Sequence, residues 1–198
     1  MLLAAPVMAM ALHAAAWAQT PPGAAPAAPA ASPAARSEAG RDMGRNMGRD
    51  VAEDDRRFME HAARSGLAEV QVGQLARSRA GSAPVREFAQ RMVQDHGAAN
   101  GELASLARQR SVKLPSQPSP TQKRMAGMLA QKSGPAFDRA YMDHMVDSHG
   151  DSIATFERAA GTARDPAVRA FAAAKLPTLR EHMEMARSVQ AALGTAPR

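Results

Sequence analysis

The chain has 198 residues, 22% of them charged, with a formal net charge of +6 and no cysteine. That length suits one domain of ordinary size with room for a leader and a spacer. The missing cysteines exclude disulfides, thiolate metal sites, thiol nucleophiles and a lipid anchor on cysteine, so the domain depends on its own packed core.

Residues 1–18 carry no charged side chain and run Leu2, Leu3, Val7, Met8, Met10 and Leu12 among alanines to Ala16-Trp17-Ala18. This is the pattern of a secretory signal peptide cleaved after Ala18, and it predicts a periplasmic or otherwise exported protein, with outer-membrane association within its scope. A transmembrane anchor is the alternative, but the run is broken by Pro6 and His13 and falls short of the usual ~20 residues. Residues 19–50 read as a disordered linker. Its first part, 19–37, is dominated by Ala and Pro and cannot bury a core. Its second part repeats Met-Gly beside arginines, and Met43 and Met47 there could offer thioethers to copper(I). Arg41, Arg45, Arg49, Arg56 and Arg57 form the one local basic patch. Lacking interleaved aromatics, it does not predict nucleic-acid binding, and it is as compatible with an anionic envelope surface.

A helical bundle domain is predicted over 51–194, followed by a disordered tail at 195–198. The first helix spans 53–80, with Phe58, Ala62, Ser65, Glu69, Val72 and Ala76 alternating at spacings of four and three. Gly81 stops it, Ser82 is a candidate N-cap, and Pro84 opens a second helix reaching about residue 110. The second stripe is Val85, Ala89, Met92, His96, Ala99, Leu103 and Leu106. Pro115, Pro118 and Pro120 lengthen the next connection, which holds a short helix near 121–131. A third long helix over 135–160 presents Tyr141, Met142, Met145, His149, Ser152 and Phe156. Asp165 caps a fourth, whose stripe runs Val168, Ala172, Lys175, Leu179, His182, Ala186, Val189 and Leu193. Pro177 predicts a kink near residues 173–175. No segment alternates with period two, so the fold class is all-α, with two antiparallel hairpins joined by a longer link.

Several of these segments resemble one family. Glu69-Val70-Gln71-Val72-Gly73-Gln74-Leu75-Ala76, Val85-Arg86-Glu87-Phe88-Ala89-Gln90-Arg91-Met92-Val93-Gln94-Asp95-His96, Phe137-Asp138-Arg139-Ala140-Tyr141, Met145-Val146-Asp147-Ser148-His149 and Leu176-Pro177-Thr178-Leu179-Arg180-Glu181-His182 are similar to the exported bacterial domain-of-unknown-function 4142 family. The resemblance spans about residues 54–193. It implies a ferritin-like up-down four-helix bundle and export, and its setting suggests a part in stress tolerance. It implies no activity.

One polar residue interrupts each apolar stripe: Glu69, His96, His149 and His182. Polar groups on apolar faces are costly unless partnered, so the four suggest a shared buried layer. Two readings follow. The layer fixes helix register, with Asp95 orienting an imidazole, or it holds a divalent transition metal through nitrogen and oxygen ligands. Di-iron chemistry is not expected, because the Glu-x-x-His motif is absent: Val93, Val146 and Leu179 stand three before the histidines. Counted from the tight turns, Glu69 and His96 sit at one height, whereas His149 and His182 are offset by five residues, ~7.5 Å. Asp143, Asp147 and Asp151, with His144 beside them, read as a solvated face. No nucleophile elbow, phosphate loop or zinc-protease motif is present. The expected role is that of an exported, non-enzymatic binding or structural protein of the cell envelope, with metal binding as the alternative.

Overall fold

A computed structural model describes residues 51–195; the expected signal peptide (1–18) and linker (19–50), and positions 196–198 of the expected tail, lie outside them. Five helices follow in order: α1 (Glu53–Arg79), α2 (Ala83–Gln109), α3 (Pro120–Ala130), α4 (Gly134–Thr162) and α5 (Pro166–Thr195). Among the described residues there is no strand, only an isolated bridge between Ala80 and Gly134. The all-α bundle expected from periodicity is therefore what forms. No described helix is long and apolar enough to cross a membrane.

The apolar stripes explain the packing. Val72, Met59, Val85, Met92, Tyr141, Met145, Val168 and Ala186 are almost fully enclosed, and each large side chain so buried contributes about 1.5–3 kcal/mol. α1 pairs with α2 and α4 with α5, while α1 also packs on α4 and α2 on α5. The bridge places the start of α4 beside the end of α1. α2 and α4 therefore run the same way, and the link between them travels back along the length of the bundle. It leaves α2 through a Schellman ending. Ser111 takes the left-handed conformation at φ 54°, and Val112 N–H bonds Ala107 C=O at 2.9 Å. α3 then forms behind a capping box of Ser119 and Gln122, and seats Ala126 and Leu129 in the core.

One sequence expectation is corrected at a helix end. The Ser82 hydroxyl makes no cap hydrogen bond, and its oxygen is buried without a partner. Instead the Asp138 carboxylate on α4 accepts from Gly81 N–H at 2.9 Å and Ser82 N–H at 2.8 Å. Gly81 is needed for closeness: a Cβ there would lie 2.8 Å from Gly134 Cα. α5 continues through Pro177, as one helix to Thr195. Pro177 and Ala173 are both exposed, so the carbonyl deprived of its partner faces water. Asp165 caps as expected, accepting from Ala167 N–H at 2.7 Å.

The second hairpin repeats the first at a step of 83 positions. Asp138 stands 83 after Asp55, and Asp55 accepts from Arg164 and Asp165 N–H, the positions 83 after Gly81 and Ser82. Each hairpin's opening helix thus clamps the other's turn. The sequence carries the same step: Asp55-Arg56-Arg57-Phe58-Met59-Glu60-His61 matches Asp138-Arg139-Ala140-Tyr141-Met142-Asp143-His144, and Val85-Arg86-Glu87-Phe88-Ala89 matches Val168-Arg169-Ala170-Phe171-Ala172. The core divides accordingly into one cluster around Met59, Phe156 and Val168 and another around Met142, Phe88 and Val85.

Candidate metal centre

Three of the four expected residues meet between these clusters. The ring centroids of His96, His149 and His182 form a near-equilateral triangle with sides of 5.5, 5.4 and 5.4 Å. One nitrogen of each ring lies within 4.8 Å of the other two. Glu69 stands outside that set: its Oε1 accepts from the Ser148 hydroxyl at 2.8 Å, and its Oε2 is buried without a partner.

The offset counted between His149 and His182 is what lets them meet. Side chains on a helix lean toward its N-terminus, so those on antiparallel neighbours lean in opposite directions. His149 leans toward the Asp138 end and His182 toward the Asp165 end, and their staggered Cα positions converge.

Neighbouring groups fix which nitrogen is free. His149 Nδ1–H donates to Met145 C=O at 2.9 Å, which leaves Nε2 bare. His182 Nε2–H donates to Asp95 Oδ2 at 2.9 Å, which leaves Nδ1 bare. A carbonyl and a carboxylate can only accept, so both tautomers are determined. Asp95 therefore orients an imidazole, as the sequence suggested. His149 Nε2, His182 Nδ1 and His96 Nε2 are all buried and unpartnered, as is the Tyr141 hydroxyl.

Electrostatics disfavours a charge on His96 and on His182. Burial pushes His96 down to about 4; its histidine neighbours add to this, and Glu69 and Asp95 oppose it. Burial also lowers His182, against the bond from Asp95. Burial acts against the charge of Asp95, but bonds from Arg91 and His182 outweigh it and hold the carboxyl below its usual range. Tyr141 is pushed well above its ordinary value by burial and by Glu69. Neutral imidazoles with bare nitrogens aimed inward are the form in which histidine ligates. Nitrogens bound to one zinc at about 2.0–2.1 Å stand ~3.3 Å apart in a tetrahedron, so small ring rotations suffice to close the triangle.

A cavity of about 220 Å³ adjoins the centre and is lined by Glu69, His96 and His182 at its inner end. The other sequence candidates lie elsewhere. Asp143, Asp147, Asp151 and His61 are exposed, and Asp143 only accepts from Gln190 at 2.7 Å. Met43 and Met47 lie outside the described residues. Sequence reasoning missed Asp55, Asp138 and the pairing of Ser148 with Glu69; the 83-residue step would have found the first two.

The fold and this centre define a four-helix bundle with a histidine triad at its core. The chain belongs to the DUF4142 family, a domain of unknown function, whose profile matches residues 42–189. It is similar in fold to the crystal structure of a DUF305 fragment from Deinococcus radiodurans, with a TM-score of 0.62 and 16% identity over 74% of this chain and 99% of that one. No curated protein matches it.

Proposed function

We propose that this protein is an exported metal-binding bundle that holds one divalent late transition ion, zinc or copper, through His96 Nε2, His149 Nε2 and His182 Nδ1. Three imidazoles without thiolates suit these ions. Glu69, one step outside the triangle, balances their charge. The observation that carries the reading is a set of three histidines from three helices, each offering one ring nitrogen within 4.8 Å of the others and each holding a buried ring nitrogen without a partner. A layer kept only for register would pair its own atoms, because an unpaired buried polar group costs about 1–3 kcal/mol. The hydrogen bonds from Asp95 and Met145 support the reading further, since ligating histidines usually donate their other N–H in this way. The signal-like segment at 1–18 places the work outside the cytoplasm in this reading.

The test is calorimetric titration of the metal-free full chain, made without a polyhistidine tag, with zinc chloride and with copper sulfate. One equivalent should bind to the wild type. His149→Ala and His182→Ala should lose stoichiometric binding while circular dichroism reports an intact helical fold. No binding by the wild type, or unchanged binding in both variants, would overturn the proposal.

A further inference from the structure

The 83-residue step gives each member of the polar layer a counterpart in the other hairpin. His149 corresponds to Gly66, His182 to Ala99, Glu69 to Ser152 and His96 to Leu179. All four counterparts line the 220 Å³ cavity. The cavity therefore occupies the place that a second, two-fold-related polar centre would fill. One half of the bundle's middle holds imidazoles; in the other the counterparts are small or apolar, the Asn100 amide fills the space over Gly66, and a cavity remains beside them.

This hollow touches the histidine centre directly. Its inner end is formed by His96, His182 and Glu69. Its walls are largely apolar, with Leu103, Phe156 and Leu179 among them. Exposed Arg91 and Glu102 stand at its outer end, where Glu102 is paired with Lys175.

Resting on the metal reading above, we propose that this cavity is a pocket for one small neutral nitrogen base of the azole type, which completes the metal's coordination. A cavity of roughly 150 Å³ accepts benzene, so one five- or six-membered ring fits here with room for its polar atoms. Three protein ligands leave a fourth position on a tetrahedral ion, as in open zinc sites. An azole offers a lone pair to that position and an apolar ring to the walls. A carboxylate ligand would instead meet the Glu69 charge in a setting of low dielectric. Class and size of the ligand thus follow from the apolar walls, the volume and the neighbouring histidine centre.

The experiment uses the full chain loaded with cobalt(II), whose visible bands report changes in coordination, titrated with imidazole and separately with acetate. Imidazole should produce a saturable change and acetate should bind at least ~10-fold more weakly, a difference of about 1.4 kcal/mol. Ala99→Leu and Ser152→Leu, which fill the hollow from two different helices, should each retain one equivalent of cobalt and lose about tenfold or more in imidazole affinity. Equal affinity for imidazole and acetate would overturn the ligand class. Unchanged imidazole affinity in both filled variants would overturn the pocket. Failure of cobalt to bind would remove the metal reading and the coordination step with it. The pocket itself is then decided by metal-free protein: benzene should shift the methyl resonances of Leu103 and Leu179 in the wild type and not in the filled variants. Absence of those shifts in the wild type would overturn the pocket whatever the metal result.

Discussion

The two hairpins share their ends and differ in their middles. At the ends, Asp55 and Asp138 do the same work, each bonding two backbone amides of the opposite turn. In the middle, three histidines face small or apolar counterparts: Gly66, Ala99 and Leu179. Turn geometry is set by backbone amides that must be satisfied wherever they are buried, so the clamp tolerates little variation. The centre of a bundle carries no such obligation and can hold imidazoles in one half and space in the other. The fold is thus a two-fold frame around a one-sided site.

The largest effects should come from the shared part. Asp138→Ala and Asp55→Ala each leave two part-buried amides without their charged acceptor, a loss of roughly 3 kcal/mol apiece. Urea unfolding of both variants measures this, and the two-fold frame predicts losses of similar size. A severe loss in one and none in the other would mean that the clamps are not equivalent. Next comes a difference inside the diverged part. Asp95→Asn removes the charged acceptor that orients His182 and should weaken zinc binding by roughly 10–100-fold. Thr178, its counterpart 83 positions on, carries no such bond, and Thr178→Val should leave zinc affinity within about threefold. Equal losses in both variants would break the comparison at the metal centre.

The sequence makes the frame easier to read than the centre. The stripe through Val85, Ala89, Met92, Leu103 and Leu106 predicts the buried face of α2 because apolar burial follows the 3.6-residue period. The same stripes single out Glu69, His96, His149 and His182, since a polar residue stands out on an apolar face. Their convergence was less legible: counting Cα heights misses the lean of side chains toward each helix's N-terminus, which lets His149 and His182 meet at 5.4 Å. Glu69 could not be told from a ligand, because its bond to Ser148 joins residues 79 positions apart. Asp55 and Asp138 stand out as a matched pair through the 83-residue step, but their work as clamps is not legible in the sequence. A buried aspartate looks like a surface one until the turn it grips is located.

A smaller effect separates the two turns. Gly81→Ala would bring a Cβ to 2.8 Å from Gly134 Cα, backbone against side chain, and should cost about 1–2 kcal/mol. At the equivalent place in the second turn stands Arg164, so no close approach requires glycine there. Arg164→Ala should change stability by no more than about 0.5 kcal/mol. Thermal melts of the two variants decide whether the turns differ in closeness alone.

The least of these effects concerns acid. In the metal-free protein, burial holds His96 down to about 4 and lowers His182 as well. The unfolded chain, with histidines near 6.5, therefore binds more protons than the folded one between those values. Stability is fully present above about pH 6.5 and declines as pH falls toward 4. Glu69, Asp95, His149 and Arg91 face these rings, and Asp95, held below the usual carboxylate range, adds its own loss only at lower pH. His96→Leu gives the first hairpin the residue that the second has at the corresponding position. It should flatten the decline between pH 6.5 and 4.5 in melts run with a chelator, and leave the steeper loss below that range in place. Parallel declines in wild type and variant would show that His96 contributes none of this acid sensitivity.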